Sequence, residues 1–110
     1  MMNKKILLTM MLGMGMLAGA AQASDGEALF MGTCMACHGT DGTGMIPGTP
    51  DFTDPSGPLS KTDEVLMSHI MNGFQSPGSP MAMPPKGGNP SLNEDDVKAI
   101  LAYMRKAFGK

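Results

Sequence analysis

The chain has 110 residues and a formal net charge of −2, with eight lysines and arginines against ten aspartates and glutamates. At this length we expect one small domain, near the size at which an apolar core alone gives only marginal stability. Because the chain is acidic and has no basic stripe, its composition excludes nucleic acid as an expected partner.

The N-terminal residues, 1–23, have the pattern of a secretory signal peptide. Two lysines precede an apolar run from Ile6 to Ala20, and Ala21-Gln22-Ala23 has the small-x-small form of a cleavage site. The run is shorter than the roughly 20 residues that a membrane-spanning helix needs, and no stop-transfer pattern follows it. We therefore predict cleavage after Ala23 and export of a domain formed by residues 24–110, with a retained N-terminal anchor as the alternative.

The rest of the chain is predicted to be helical, because aliphatic β-branched residues are few and none lies in an alternating run. The first helix is expected from Ser24 to about Cys37. Ser24 and Glu27 have the spacing of a capping box. Phe30, Cys34 and Cys37 recur at helical spacing. The cysteines should therefore lie at the end of this helix.

Two further helices follow from apolar periodicity and from their end signals. The second is predicted over residues 62–72, with acidic residues in its first turn and a glycine after it. The third begins near Ser91 or Asn93 and ends at Phe108, again before a glycine. Two segments rich in Gly, Pro, Ser and Thr separate the helices and are predicted to be loops, residues 39–58 and 74–90.

Both cysteines of the chain and one of its two histidines lie together in Cys34-Met35-Ala36-Cys37-His38. Two thiols at this spacing occur in disulfides and in dithiol redox sites, but the redox sites normally lie on a βαβ scaffold that this composition does not supply. The same residues can bind zinc. A structural zinc site needs a fourth ligand, however, and only His69 and carboxylates remain to provide it.

The third chemistry is covalent attachment of haem, in which the two thiols of C-x-x-C-H add to the haem vinyl groups and the histidine ligates the iron. Export, the absence of any other cysteine, and a small helical domain with little core all agree with this interpretation. We predict one haem c, attached through Cys34 and Cys37, with His38 as an iron ligand. The disulfide and zinc interpretations stay open as alternatives.

Residues 24–110 resemble the class I c-type cytochromes, which are small soluble monohaem electron carriers. In that family the first helix carries G-x-x-x-F ending four residues before the first haem cysteine, as Gly26, Phe30 and Cys34 do here. That helix crosses a C-terminal helix with an apolar-x-x-aromatic pair, which Ile100 and Tyr103 match. The resemblance implies an all-α fold, the small cytochrome c fold, with three main helices and long loops wrapped around one covalently attached haem.

The resemblance also implies the remaining site residues. The family's second iron ligand is a loop methionine that typically precedes a proline, as Met83 does, whereas Met81 does not. His38 and Met83 are thus the implied metal ligands. The family's ligand histidine donates its other N–H to a proline carbonyl, a role that falls on Pro50, with Pro47 as the weaker match.

Two other interpretations concern the same region. Met81 and Met83 together have the thioether chemistry that suits Cu(I). His69 is displaced from the apolar stripe of its helix, so we interpret it as a solvated side chain, with a second histidine ligand to iron as the alternative.

An iron with two protein ligands leaves no position free for oxygen or a substrate, and a thioether ligand favours Fe(II). We therefore predict a periplasmic one-electron carrier, not an enzyme, that cycles between Fe(II) and Fe(III) and has no small-molecule substrate. We expect a monomer that exchanges electrons with respiratory redox proteins, with a membrane oxidase or reductase complex as a candidate partner. The alternatives are a haem sensor or peroxidase, if neither methionine ligates iron, and a dithiol oxidoreductase or metal chaperone, if no haem attaches.

Overall fold

A computed structural model describes residues 25–109, so the predicted signal peptide and its cleavage site lie outside the described residues. This part of the chain is helical, which confirms the predicted all-α class. Its four α-helices are α1 (Gly26–Thr33), α2 (Met35–His38), α3 (Asp63–Asn72) and α4 (Glu94–Phe108). Two 3₁₀ helices, Pro58–Ser60 and Pro85–Gly88, lie within the predicted loop regions or at their edge. An isolated antiparallel bridge joins Phe74 to Met83.

The first predicted helix differs from the prediction at its start and near its end. The side chain of Asp25 caps α1 by accepting a hydrogen bond from the Ala28 N–H at 3.1 Å, so the predicted capping box on Ser24 is wrong. A carboxylate at this position also offsets the positive end of the helix dipole. The helix is interrupted at Cys34, which ends α1 and precedes α2. The first cysteine of the motif therefore lies at a bend between two helices.

Helices α3 and α4 form where the sequence predicts them. The Thr62 hydroxyl caps α3 by accepting from the Val65 N–H at 3.3 Å. At the start of α4, the Asn93 side chain accepts from the Asp96 N–H at 2.8 Å, and the Asp96 carboxylate accepts from the Asn93 N–H at 3.1 Å. The sequence predicts a start for this helix near Ser91 or near Asn93. The capping box shows that Asn93 is the N-cap residue.

The capping box gives a first testable prediction. Asn93→Ala should lower the free energy of unfolding of the protein by about 1 kcal/mol, because the substitution leaves a helix N–H without its acceptor. Asn93→Ser keeps an acceptor at the same position and should lose much less. Chemical denaturation of both variants measures this, and equal losses in the two would show that capping is not what Asn93 contributes.

The core is built where α1 crosses α4. A Cβ atom on Gly26 would lie 2.0 Å from the carbonyl oxygen of Ala99 in α4, so only glycine permits this approach. Phe30 of α1 and Ile100 of α4 are fully buried at the crossing. The predicted crossing of the first and C-terminal helices is therefore confirmed, and Gly26 is the residue that permits it.

Aromatic rings extend this core toward the loop that follows α2. The Phe108 ring of α4 lies 5.5 Å from the Phe30 ring and 6.0 Å from the Phe52 ring, measured between centroids. Phe52 is further fixed by its N–H, which donates to the Gly42 carbonyl at 2.8 Å. Because Phe108 belongs to α4, this helix helps to fix the position of Phe52 and of the loop that carries it.

Candidate functional site

The cysteine and histidine side chains of the motif are brought together by α2. The His38 N–H donates to the Cys34 carbonyl at 3.0 Å, which closes one helical turn around the motif. Cys34 is buried, Cys37 is exposed, and the two thiols are not joined to each other. Both cysteines and His38 line the same cavity, so the motif presents its three functional side chains to one space.

That cavity has a volume of about 470 Å³ and lies between the motif, α3, α4 and the two long loops. This volume is within the usual range for cofactor and ligand sites. Phe30, Ile70, Ile100 and Met104 contribute buried apolar side chains to its lining. The lining also includes all five predicted site residues, Cys34, Cys37, His38, Pro50 and Met83.

His38 is held by packing. Its side chain is 8% exposed, and its ring stacks on Phe52 with a centroid distance of 4.4 Å. Burial lowers the pKa of the His38 imidazole to about 4, so the ring is neutral near pH 7, as a metal ligand must be. Nδ1 of His38 is buried and has no hydrogen-bond partner among residues 25–109. Pro50 lines the same cavity, and its role as the acceptor for this ring stays a prediction.

The buried cysteine, Cys34, lacks the property that a reactive dithiol site needs. Burial, with a smaller effect of the nearby Cys37, raises the pKa of the Cys34 thiol to about 11. Reactive dithiol sites depend on the opposite shift, toward the thiolate. In the part of the chain that the structure describes, no three His, Cys, Asp or Glu side chains are grouped so as to hold a metal ion. The geometry therefore favours neither a dithiol enzyme nor a zinc site.

The two candidate methionines differ in their settings although both line the cavity. Met83 is half-buried and packs against the core, while Met81 is 53% exposed. The backbone of Met83 is paired with Phe74, with N to O distances of 2.7 and 3.0 Å, and Pro84 follows directly. Backbone pairing and a proline restrict the loop at Met83, which makes it the better preorganised thioether.

His69 is not the solvated side chain that the sequence suggested. It is half-buried, lines the cavity, and stacks on Phe74 with a ring centroid distance of 3.8 Å. The reason is that the chain turns back after α3 and pairs Phe74 with Met83, which lays the Phe74 ring over the histidine. The helical pattern around His69 carries no signal of this contact.

These residues fit a covalently bound haem. The chain presents two unpaired thiols and a neutral imidazole to an apolar cavity, and a half-buried thioether also lines it. The unpartnered Nδ1 of His38 is the one orphaned polar side-chain atom found buried in residues 25–109. In the same residues no helix has the length and apolarity needed to cross a membrane.

Comparison with known proteins shows the family. A family model described as "Cytochrome C oxidase, cbb3-type, subunit III" matches residues 21–104. Cytochrome c-551 of Stutzerimonas stutzeri is 34% identical over 92% of this chain and 95% of that protein. Cytochrome c-554(548) of Halomonas halodenitrificans is 33% identical over 78% of this chain and 94% of that protein.

A solved structure is similar as well. Cytochrome CL from Methylophaga aminisulfidivorans superposes with a TM-score of 0.58 at 29% identity, covering 76% of this chain and 51% of that one. Together with these relatives, the fold defines a small haem protein of electron transfer. The chain belongs to the cytochrome c family, among the small class I monohaem cytochromes, and its cofactor is accordingly haem c.

Proposed function

We propose that this chain is a periplasmic one-electron carrier whose single haem is attached through Cys34 and Cys37 and whose iron is ligated by His38 and Met83. The observation that carries the proposal is that these four side chains line one apolar cavity. When bound, the haem supplies an iron that exchanges one electron between Fe(II) and Fe(III).

The chain's own residues set the properties of such a site. Stacking on Phe52 fixes the orientation of the His38 ring, and burial keeps the ring neutral and able to act as a ligand. The Met83 thioether stabilises the reduced state and so raises the potential. The apolar lining limits the entry of water to the site. A site with little water favours Fe(II), the iron state of lower charge.

Location and partners belong to the same proposal. The signal-peptide pattern of residues 1–23 supports export, cleavage after Ala23, and a working domain of residues 24–110. We expect a monomer that exchanges electrons with redox proteins of a respiratory chain. A membrane oxidase or reductase complex is the candidate partner, in keeping with the oxidase subunit named in the description of the matched family.

The test is to compare optical spectra of the holoprotein with those of Met83→Ala and Met81→Ala, both ferric and ferrous. The chain should be expressed with residues 1–23 and with the haem-attachment machinery. We expect covalent haem in all three proteins and a ferric sulfur-to-iron charge-transfer band that is lost only in Met83→Ala. Met81→Ala is the matched control, because it removes a neighbouring thioether that lines the same cavity.

Other outcomes would contradict parts of the proposal. Loss of the band only in Met81→Ala would move the ligand to that residue. Haem without the band in the parent, together with rapid carbon monoxide binding by the reduced protein, would indicate a five-coordinate sensor or peroxidase. A parent chain without covalent haem would refute the carrier function itself.

A further inference from the structure

Arg105 of α4 makes three hydrogen bonds to a segment far from it in sequence. Its Nε donates to the Asp63 carboxylate at 2.7 Å, at the start of α3. Its two terminal nitrogens donate to backbone carbonyls, at 3.0 Å for Leu59 and 2.8 Å for Lys61. One guanidinium therefore joins the C-terminal helix to the chain just before α3.

The two carbonyls that accept from Arg105 belong to a segment that forms one wall of the cavity. We call residues 56–61 the wall segment, since every one of them except Leu59 lines the cavity. Leu59 packs instead against the core from a partly buried position. The wall segment also supplies Lys61, a charged side chain in a lining otherwise made mostly of apolar and hydroxyl groups.

Apart from the packing of Leu59 and the bonds from Arg105, the wall segment is held by local hydrogen bonds. Its only regular structure is the three-residue 3₁₀ helix Pro58–Ser60. Its backbone N–H bonds are all local. Ser56 and Gly57 donate to Asp54 at 3.0 and 2.9 Å, Ser60 donates to Gly57 at 3.0 Å, and Lys61 donates to Pro58 at 3.1 Å. Local bonds fix the shape of a turn but not its position relative to the rest of the domain. Among the described residues, Arg105 supplies the long-range side-chain hydrogen bonds to this segment.

We infer that Arg105 is a positioning residue that fixes this wall of the haem cavity and thereby limits the entry of water to the haem; the inference rests on the proposed function. Three acceptors in different directions match the planar guanidinium, whose donors form a rigid fork. A lysine carries the same charge but cannot reproduce this geometry. We therefore expect the donor geometry of the guanidinium, more than its positive charge, to hold the wall segment in place.

The experiment compares Arg105→Lys with the adjacent reverse exchange, Lys106→Arg, in the holoprotein. Both variants preserve charge on the same helix, and Lys106 is exposed and makes no hydrogen bond to the wall segment in the structure. Hydrogen exchange by mass spectrometry reports the motion of residues 56–61, and the midpoint potential reports the access of water to the haem. For Arg105→Lys we expect about tenfold faster exchange in the wall segment and a lower potential, since water stabilises Fe(III).

Lys106→Arg should change neither quantity. Unchanged exchange and potential in Arg105→Lys would overturn the inference. An increase in exchange spread evenly over the chain would overturn it too, because that is the signature of a general stabilising role. If Arg105→Lys does not accumulate, Asp63→Ala removes the acceptor of one of the three bonds and should give a smaller increase confined to the same segment. No increase there would also overturn the inference.

The two readouts separate this inference from the proposed function. The midpoint potential requires haem, whereas exchange in the wall segment can be measured on whatever protein is exported. A parent without haem would refute the proposed function, and the exchange comparison would still decide whether Arg105 positions the wall.

Discussion

Gly26→Ala is expected to destabilise the protein by about 3 kcal/mol, the upper end of the usual range for overpacking. The added Cβ atom would lie 2.0 Å from the carbonyl oxygen and 2.6 Å from the carbonyl carbon of Ala99. Both are backbone atoms of α4, so no side-chain rotation relieves the overlap. Helices α1 and α4 would have to separate, and the fully buried Phe30 and Ile100 lie at their crossing.

Gly32→Ala is the matched control for this prediction. Gly32 lies on the same helix, and a Cβ atom there would meet nothing within 4 Å. Because alanine is the better helix former, this variant should gain up to about 1 kcal/mol. Denaturant unfolding of the two holoproteins measures both changes. Similar stabilities for the two variants would mean that α1 and α4 do not approach each other as closely as the structure has them.

How well the sequence predicts the helices depends on how much of each signal is local. Helix α4 carries its capping box, its apolar stripe and its terminal glycine within its own residues, and it forms as predicted. Helix α1 is less well predicted, since Ser24 and Asp25 are both good N-cap residues and the pattern alone does not rank them. The break at Cys34 has no sequence signal either, because the apolar spacing continues across it.

The site residues, like the helices, can be predicted from the sequence only where their signal is local. Cys34, Cys37 and His38 are contiguous, so their motif could be recognised directly, whereas Met83 and Pro50 were implied only by resemblance to a family. The contacts that position the rings around the cavity are set by the loops and not by a local sequence pattern. Stacking of Phe52 on His38 and of Phe74 on His69 depends on how two irregular loops fold back. The hydrogen bonds of Arg105 span more than 40 positions in the sequence, and no local sequence pattern predicts them.

Removing both thiols, as Cys34→Ala with Cys37→Ala, is expected to abolish covalent haem altogether. Both cysteines line the cavity, and the chain has no other cysteine that could replace them. Loss of the haem should also lower the amount of folded protein, because a cavity of about 470 Å³ then replaces part of the core of a small domain. Intact mass under denaturing conditions measures attachment, and circular dichroism measures helix content.

Ala36→Ser is the control, since Ala36 is exposed between the two cysteines and its substitution leaves both thiols and His38 in place. It should retain one covalent haem and the helix content of the parent.

Each single variant, Cys34→Ala or Cys37→Ala, should keep one of the two covalent links and bind haem in lower yield. Haem that stays bound to the double variant through denaturation would show that some other side chain forms the link, and the motif would then have to be reinterpreted as iron ligation by His38 alone. Full helix content in a haem-free double variant would show instead that the domain folds without its cofactor, and that the core at the α1–α4 crossing suffices for stability.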